Sequence, residues 1–146
     1  MVIVIGYAPA PPGEAALRHG LQEARLRAAR VVVVNSSRGD AFVDKRFAQG
    51  DDLARLESAL EESDVPWTLR QPVRGQDAAE EILAAAQESR ADLIVLGLRR
   101  RTPVGKLLLG STAQRVLLGA PCPSCPSLPT ERPEVLLVRR APTTVT

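Results

Sequence analysis

Leu93-Ile94-Val95-Leu96-Gly97 is a run of four apolar residues closed by a glycine. A long basic stretch follows, Leu98-Arg-Arg-Arg-Thr-Pro-Val-Gly-Lys-Leu-Leu-Leu-Gly110-Ser111-Thr112. An apolar run of this length reads as a strand buried on both faces, the kind found where helices cover a parallel sheet on each side. Gly97 lets the chain turn sharply off the strand end. Ser111-Thr-Ala-Gln114 has the spacing of a capping box, so a helix with Val116 and Leu117 on its apolar face opens there.

Outward from this unit the same alternation repeats. Val2–Ile5 and Val31–Val34 are further short apolar runs, and Trp67–Leu69 reads as a third, more exposed strand. Between them lie helical spacings. Leu17, Leu21, Ala24 and Ala28 share one face, with Pro11 and Pro12 suited to the first turn. Leu53, Leu56 and Leu60 share another, with Asp51 as the expected N-cap. Asp77-Ala-Ala-Glu80 predicts a capping box ahead of Ala78, Ile82, Leu83 and Ala86. Val135–Val138 is the last strand, reached through the proline-crowded stretch 121–134, an extended excursion that cannot be regular helix. Strands separated by helices force right-handed crossovers. The expectation is therefore a doubly wound α/β domain, a five-stranded parallel sheet with helices on both faces.

The chain has 146 residues, 45% hydrophobic and 25% charged, which suits one domain spanning 1–146 with the 121–134 insertion inside it. Aromatics are 3%, so Val, Leu, Ile and Ala must build the core, and a base-stacking surface for nucleic acid is not expected. A net charge of +2 does not by itself call for a polyanion. No apolar run approaches the ~20 residues that cross a bilayer. The first residues lack a basic region ahead of their apolar run and read as a strand rather than a signal peptide. Two cysteines do not staple a secreted mini-domain, so the expected compartment is the reducing cytoplasm.

Ligands of open α/β sheets sit at the carboxyl ends of strands where the strand order reverses. The loops after Ile5 and Leu96 compete for that place, and the second is richer. Gly110 and Ser111 would offer backbone N–H groups and a hydroxyl at a helix N-terminus, which favours anions. Arg99, Arg100, Arg101 and Lys106 supply four positive charges with no acid among them, leaving the rest of the chain net negative. That focus suits a phosphate-bearing ligand. By spacing alone, Ser111 with Gln114 is also an ordinary helix cap, and loop arginines are ordinarily solvated. Cys122 and Cys125 have C-x-x-C spacing, but they follow a helix rather than open one, where the dipole would stabilise a thiolate. Asn35-Ser-Ser37 reads as loop. No base–nucleophile pair or metal cluster is evident, so no catalytic residues are predicted.

Leu93 to Gly97, the stretch on to Gly110-Ser111-Thr-Ala-Gln-Arg-Val116, and Ala120-Pro-Cys-Pro123 closely resemble the signature of the universal stress protein family. Ile3-Val-Ile-Gly-Tyr7 and Glu14-Ala-Ala-Leu-Arg-His-Gly-Leu21 resemble its first strand and helix, so the resemblance covers nearly the whole chain. It implies a Rossmann-like, adenine-nucleotide-binding type of fold with strand order 3-2-1-4-5. It also implies a homodimer made by pairing the last strands, here Val135–Val138, for which an exposed apolar edge is the physical reason. Many members bind ATP through Gly-x2-Gly-x9-Gly-[Ser/Thr] and an Asp after the first strand. Gly97, Gly110 and Ser111 match that motif; its second glycine falls at Arg100, and the family's Asp-Gly-Ser falls at Ala8-Pro9-Ala10. Arg100 either narrows the approach of the backbone or offers its guanidinium to phosphate. The expected ligand is ATP or another adenine nucleotide, near Gly97, Arg99, Arg100, Gly110, Ser111 and Thr112. The expected role is a non-catalytic stress-response regulatory or interaction module. The alternatives are slow ATP hydrolysis and a thiol–disulfide module through Cys122 and Cys125.

Overall fold

The computed structural model describes residues 1–35, 50–71, 77–98, 111–119, 125–127 and 135–139, with only the backbone described for Ser111 and for 125–127. Chain order is β1 (Val2–Gly6), α1 (Pro11–Arg27), β2 (Arg30–Val34), α2 (Asp51–Glu62), β3 (Trp67–Arg70), α3 (Ala78–Ser89), β4 (Leu93–Gly97), α4 (Ser111–Gly119), β5 (Cys125–Ser127) and β6 (Val135–Arg139). These form one sheet ordered β3-β2-β1-β4-β6-β5. The first four strands are parallel, with Ile3 opposite both Val31 and Leu93.

Each apolar run is buried on both sides, as the continuous patterns require. Ile3, Ile5, Val31, Val33, Leu93 and Val95 face one layer, with Leu17 and Leu21 of α1 and Leu56 and Leu60 of α2. Val4, Val32, Val34, Ile94 and Leu96 face the other, with Ile82 and Ala85 of α3 and Ala113 and Val116 of α4. Burying each such aliphatic side chain is worth roughly 1.5–3 kcal/mol. α3 and α4 run side by side in the same direction. Arg115 of α4 pairs with Asp77 and Glu80 at the start of α3, and Gly119 lies against Leu83 one turn further along. Both helices therefore begin at the carboxyl edge of the sheet.

The α/β class, the helices on both faces and the order 3-2-1-4 agree with the reading of the sequence. The far end differs. The last strand, Val135–Val138 extended to Arg139, runs antiparallel to β4 rather than parallel, and a sixth strand, β5, lies outside it. Chain length explains the reversal. Only residues 128–134 separate β5 from β6, fewer than the dozen or so that a parallel crossover needs. The parallel partner of β4's direction is β5, placed one position further out, and β6 returns between the two. Val135–Val138 is consequently not the bare apolar edge expected to pair in a dimer: its four side chains are buried, and Leu137 to Arg139 already pair with β5.

Two caps also differ. Gly50, at φ 58°, rather than Asp51, is the N-cap of α2. Asp77 caps α3 by position without a side-chain bond to its first turn, because Arg115 holds the carboxylate. Among the described residues no helix is long and apolar enough to cross a membrane.

Candidate functional site

The strand order reverses between β1 and β4: from β1 the chain moves outward to β2, while β4 leads to the opposite side. The crevice at their carboxyl ends is where such folds hold ligands. Its floor is set by α1. Gly97, half-buried at the end of β4, lies so close to the first turn of α1 that a Cβ there would stand 2.0 Å from the Pro12 carbonyl oxygen. Gly13 meets the loop after β1 in the same way, with a Cβ position 1.9 Å from the Ala8 carbonyl oxygen. Two glycines thus let β1, β4 and α1 converge with backbone against backbone.

This convergence leaves α1 a poor anion site. Its N-cap, Ala10, has no side-chain cap, and Pro11 and Pro12 carry no N–H. Glu14 N–H bonds the Ala10 carbonyl. Only Gly13 N–H is left of the donors a first turn normally turns outward. α4 is the opposite case. It opens at Ser111 and Thr112 with no proline, so its first amides keep their hydrogens. Its seat beside the crevice follows from Leu98, the residue after β4, which shares an apolar cluster with Ala113 of α4. Thr112 is half-buried.

Of the residues predicted from sequence, the structure thus brings Gly97 and the start of α4, Ser111–Thr112, to one edge. Arg99, Arg100 and Gly110 lie outside the described residues, as do Arg101, Lys106 and Cys122. Ala8, at the family's acid position, carries no carboxylate.

The third side of the crevice is a polar network that the sequence reading passed over. Asn35, read as loop, directly follows β2 with 0% exposure. Its backbone N–H donates to the Arg70 carbonyl of β3. Its side-chain Nδ2 donates to the Tyr7 carbonyl at 2.9 Å, and its Oδ1 accepts from Gln71 Nε2 at 3.2 Å. One amide therefore ties together the carboxyl ends of β1, β2 and β3. The signal available in the sequence was an amide placed directly after four buried valines, where a solvated loop residue has no reason to be buried.

Tyr7 turns its ring into the α1–α2 layer and donates its hydroxyl to Glu14 Oε1 at 2.7 Å. Burial, then the bond to and the charge of Glu14, raise its pKa well above the usual 10.0. Charges at the start of α2 act on the same hydroxyl more weakly, Asp52 raising the pKa and Arg55 lowering it. Among the described residues no group of three or more His, Cys, Asp or Glu is placed to hold a metal ion.

The profile of the universal stress protein family matches residues 1–124, which takes in β1 through α4 and the crevice they form. The chain belongs to the universal stress protein family. A universal stress protein of Mycolicibacterium smegmatis is 50% identical over 122 residues, covering 84% of this chain and 93% of the relative. One from Thermus aquaticus is 34% identical over 130 residues, covering 83% and 93%. Among solved structures, a universal stress protein from Archaeoglobus fulgidus is 31% identical with a TM-score of 0.65, covering 83% of this chain and 93% of that one. A universal stress protein structure from the same organism in complex with dAMP is 28% identical with a TM-score of 0.60, covering 83% and 92%. β5 and β6 fall after the matched residues, so the departure in sheet topology lies outside the family match.

Proposed function

We propose that this universal stress protein is a cytoplasmic, non-catalytic regulatory module that binds an adenine nucleotide, ATP or a related phosphate ester, in the crevice between α1 and α4. The observation that carries the reading is the contrast between two helix starts at one sheet edge: α1 is stripped of donors by Pro11 and Pro12, while α4 begins with amides intact at Ser111 and Thr112. The phosphates belong at α4. Gly110 and Ser111 supply amides, the Ser111 and Thr112 hydroxyls add donors, and Arg99 and Arg100 neutralise the charge. Gly97 gives the strand end room to approach. The dAMP complex of the A. fulgidus relative supports an adenine nucleotide as the ligand class.

With Ala8 in place of an acid, no carboxylate after β1 holds the ribose, so phosphate contacts supply most of the affinity. Isothermal titration with ATP and Mg²⁺ tests this. Saturable heat is expected, and Arg99→Ala combined with Arg100→Ala should weaken binding by about ten- to a hundredfold, the equivalent of roughly 1.5–3 kcal/mol for a charge-assisted contact. No heat at sub-millimolar nucleotide overturns the reading. Phosphate release no faster than in Ser111→Ala is the expected sign of a non-catalytic role; release well above that control would replace it with slow hydrolysis.

A further inference from the structure

The sequence places a capping box at the start of α3, and the structure engages both of its carboxylates elsewhere. In such a box the N-cap side chain accepts from amides of the first turn, and the acid three residues on reaches back to the N-cap amide. Asp77 has the extended backbone of an N-cap, φ −63° and ψ 146°, yet its side chain makes no bond to the turn. Its carboxylate pairs with Arg115 of α4 instead, and Glu80 pairs with the same guanidinium at 3.3 Å. α3 therefore begins in cap geometry with the Asp77 cap bond unmade. A helix cap and a solvent-exposed ion pair are of comparable strength. The Arg115 side chain is 52% exposed, so packing does not fix it in this arrangement.

Arg115 stands four residues after Ser111, on the side of α4 that looks toward the start of α3. Helical side chains lean toward the N-terminus, and residues four apart share a face, so Arg115 lies over the turn that opens α4. That turn is where the phosphates belong. The charges around it are unbalanced: Asp77 and Glu80 bring two negative charges, and Arg115 one positive. An arriving phosphate is repelled by the carboxylates and attracted by the guanidinium. An arginine fork matches phosphate as well as it matches carboxylate.

We infer that Arg115 is an exchangeable phosphate-binding residue: a nucleotide phosphate at the start of α4 draws its guanidinium away from Asp77 and Glu80, and Asp77 then turns back to cap α3. The first turn of α3 thereby responds to occupancy of α4. A ligand shifts such a balance only by its differential affinity for the two states, and two arrangements close in strength need little. The exchange rests on the nucleotide reading above.

Amide hydrogen exchange of the full chain, with and without saturating ATP and Mg²⁺, tests it. Exchange at Ala79 and Glu80, whose amides an N-cap side chain at Asp77 would reach, should slow severalfold when ATP binds. Isothermal titration supplies two further arms. Arg115→Gln should bind ATP about tenfold more weakly. Asp77→Asn with Glu80→Gln should bind it about three- to tenfold more tightly, because asparagine still caps while the guanidinium is freed. In Arg115→Gln the two amides should be slow without ATP and unchanged by it. ATP that binds the parent without slowing Ala79 and Glu80, or that binds Arg115→Gln as tightly as the parent, overturns this inference and leaves the nucleotide reading intact. So does a carboxylate variant that binds no more tightly. No ATP heat in the parent overturns both. Exchange in the parent decides the question even where a variant does not fold.

Discussion

Replacing Gly97 by alanine probes the convergence on which the crevice is built. The added Cβ would lie 2.0 Å from the Pro12 carbonyl oxygen and 2.4 Å from its carbon. Both are backbone atoms of the first turn of α1, so no side-chain rotation relieves the overlap. Real Cβ contacts essentially never fall below 3.0 Å, so β4 and α1 must part by roughly 1 Å. α1 is held down along its length by Ala15, Ala16, Leu17, Leu21 and Ala24, all buried against the sheet. The separation therefore loosens a packed layer rather than a free end. Forced overpacking costs typically 1–3 kcal/mol, and the rigidity of both partners here places the expected loss at about 3 kcal/mol. For a chain of this length that lowers Tm by about 6–12 °C. Urea titration of the nucleotide-free protein checks it: the midpoint should fall with the slope unchanged. A Gly97→Ala protein as stable as its parent within about 0.5 kcal/mol would show that α1 does not rest on the end of β4, and the described crevice would lose its floor.

Other consequences follow from single residues. Asn35→Leu removes the bond from Asn35 to the buried Tyr7 carbonyl and the one Asn35 accepts from Gln71; the expected loss is about 1–3 kcal/mol, measured by urea titration, with nucleotide affinity falling too because the wall beside Ala8 is loosened. Tyr7 is the only tyrosine, so tyrosinate absorbance reports on it alone. Its folded pKa is raised, so the stability it contributes is complete below pH 10, the unfolded value, and is lost as pH climbs beyond it. Absorbance should therefore rise only together with unfolding; a simple titration at pH 10 in the folded protein would contradict its burial. Arg115→Ala should cost no more than about 1 kcal/mol in thermal unfolding, less at high salt, because the side chain is half-exposed where it meets Asp77 and Glu80.

The sequence by itself determined the four βα units and which strands are buried on both faces. Those features rest on local patterns, continuous runs such as Val31–Val34 against helical spacings such as Leu17 and Leu21, and a local pattern survives without knowledge of distant partners. Gly20, a residue type that disfavours helix interiors, owes its place in α1 to Ile5: a Cβ at Gly20 would stand 2.3 Å from the Ile5 Cδ1. Tertiary structure decided everything that depends on which distant residues meet. Asn35 is a buried tie because β1 and β3 flank β2. Asp77 forgoes its cap because Arg115 of a later helix reaches it. The direction of Val135–Val138 was the least legible feature, since an apolar strand has the same pattern whichever way it runs. Its orientation was decided by the short connection from β5, the strand that took the outer place on the sheet.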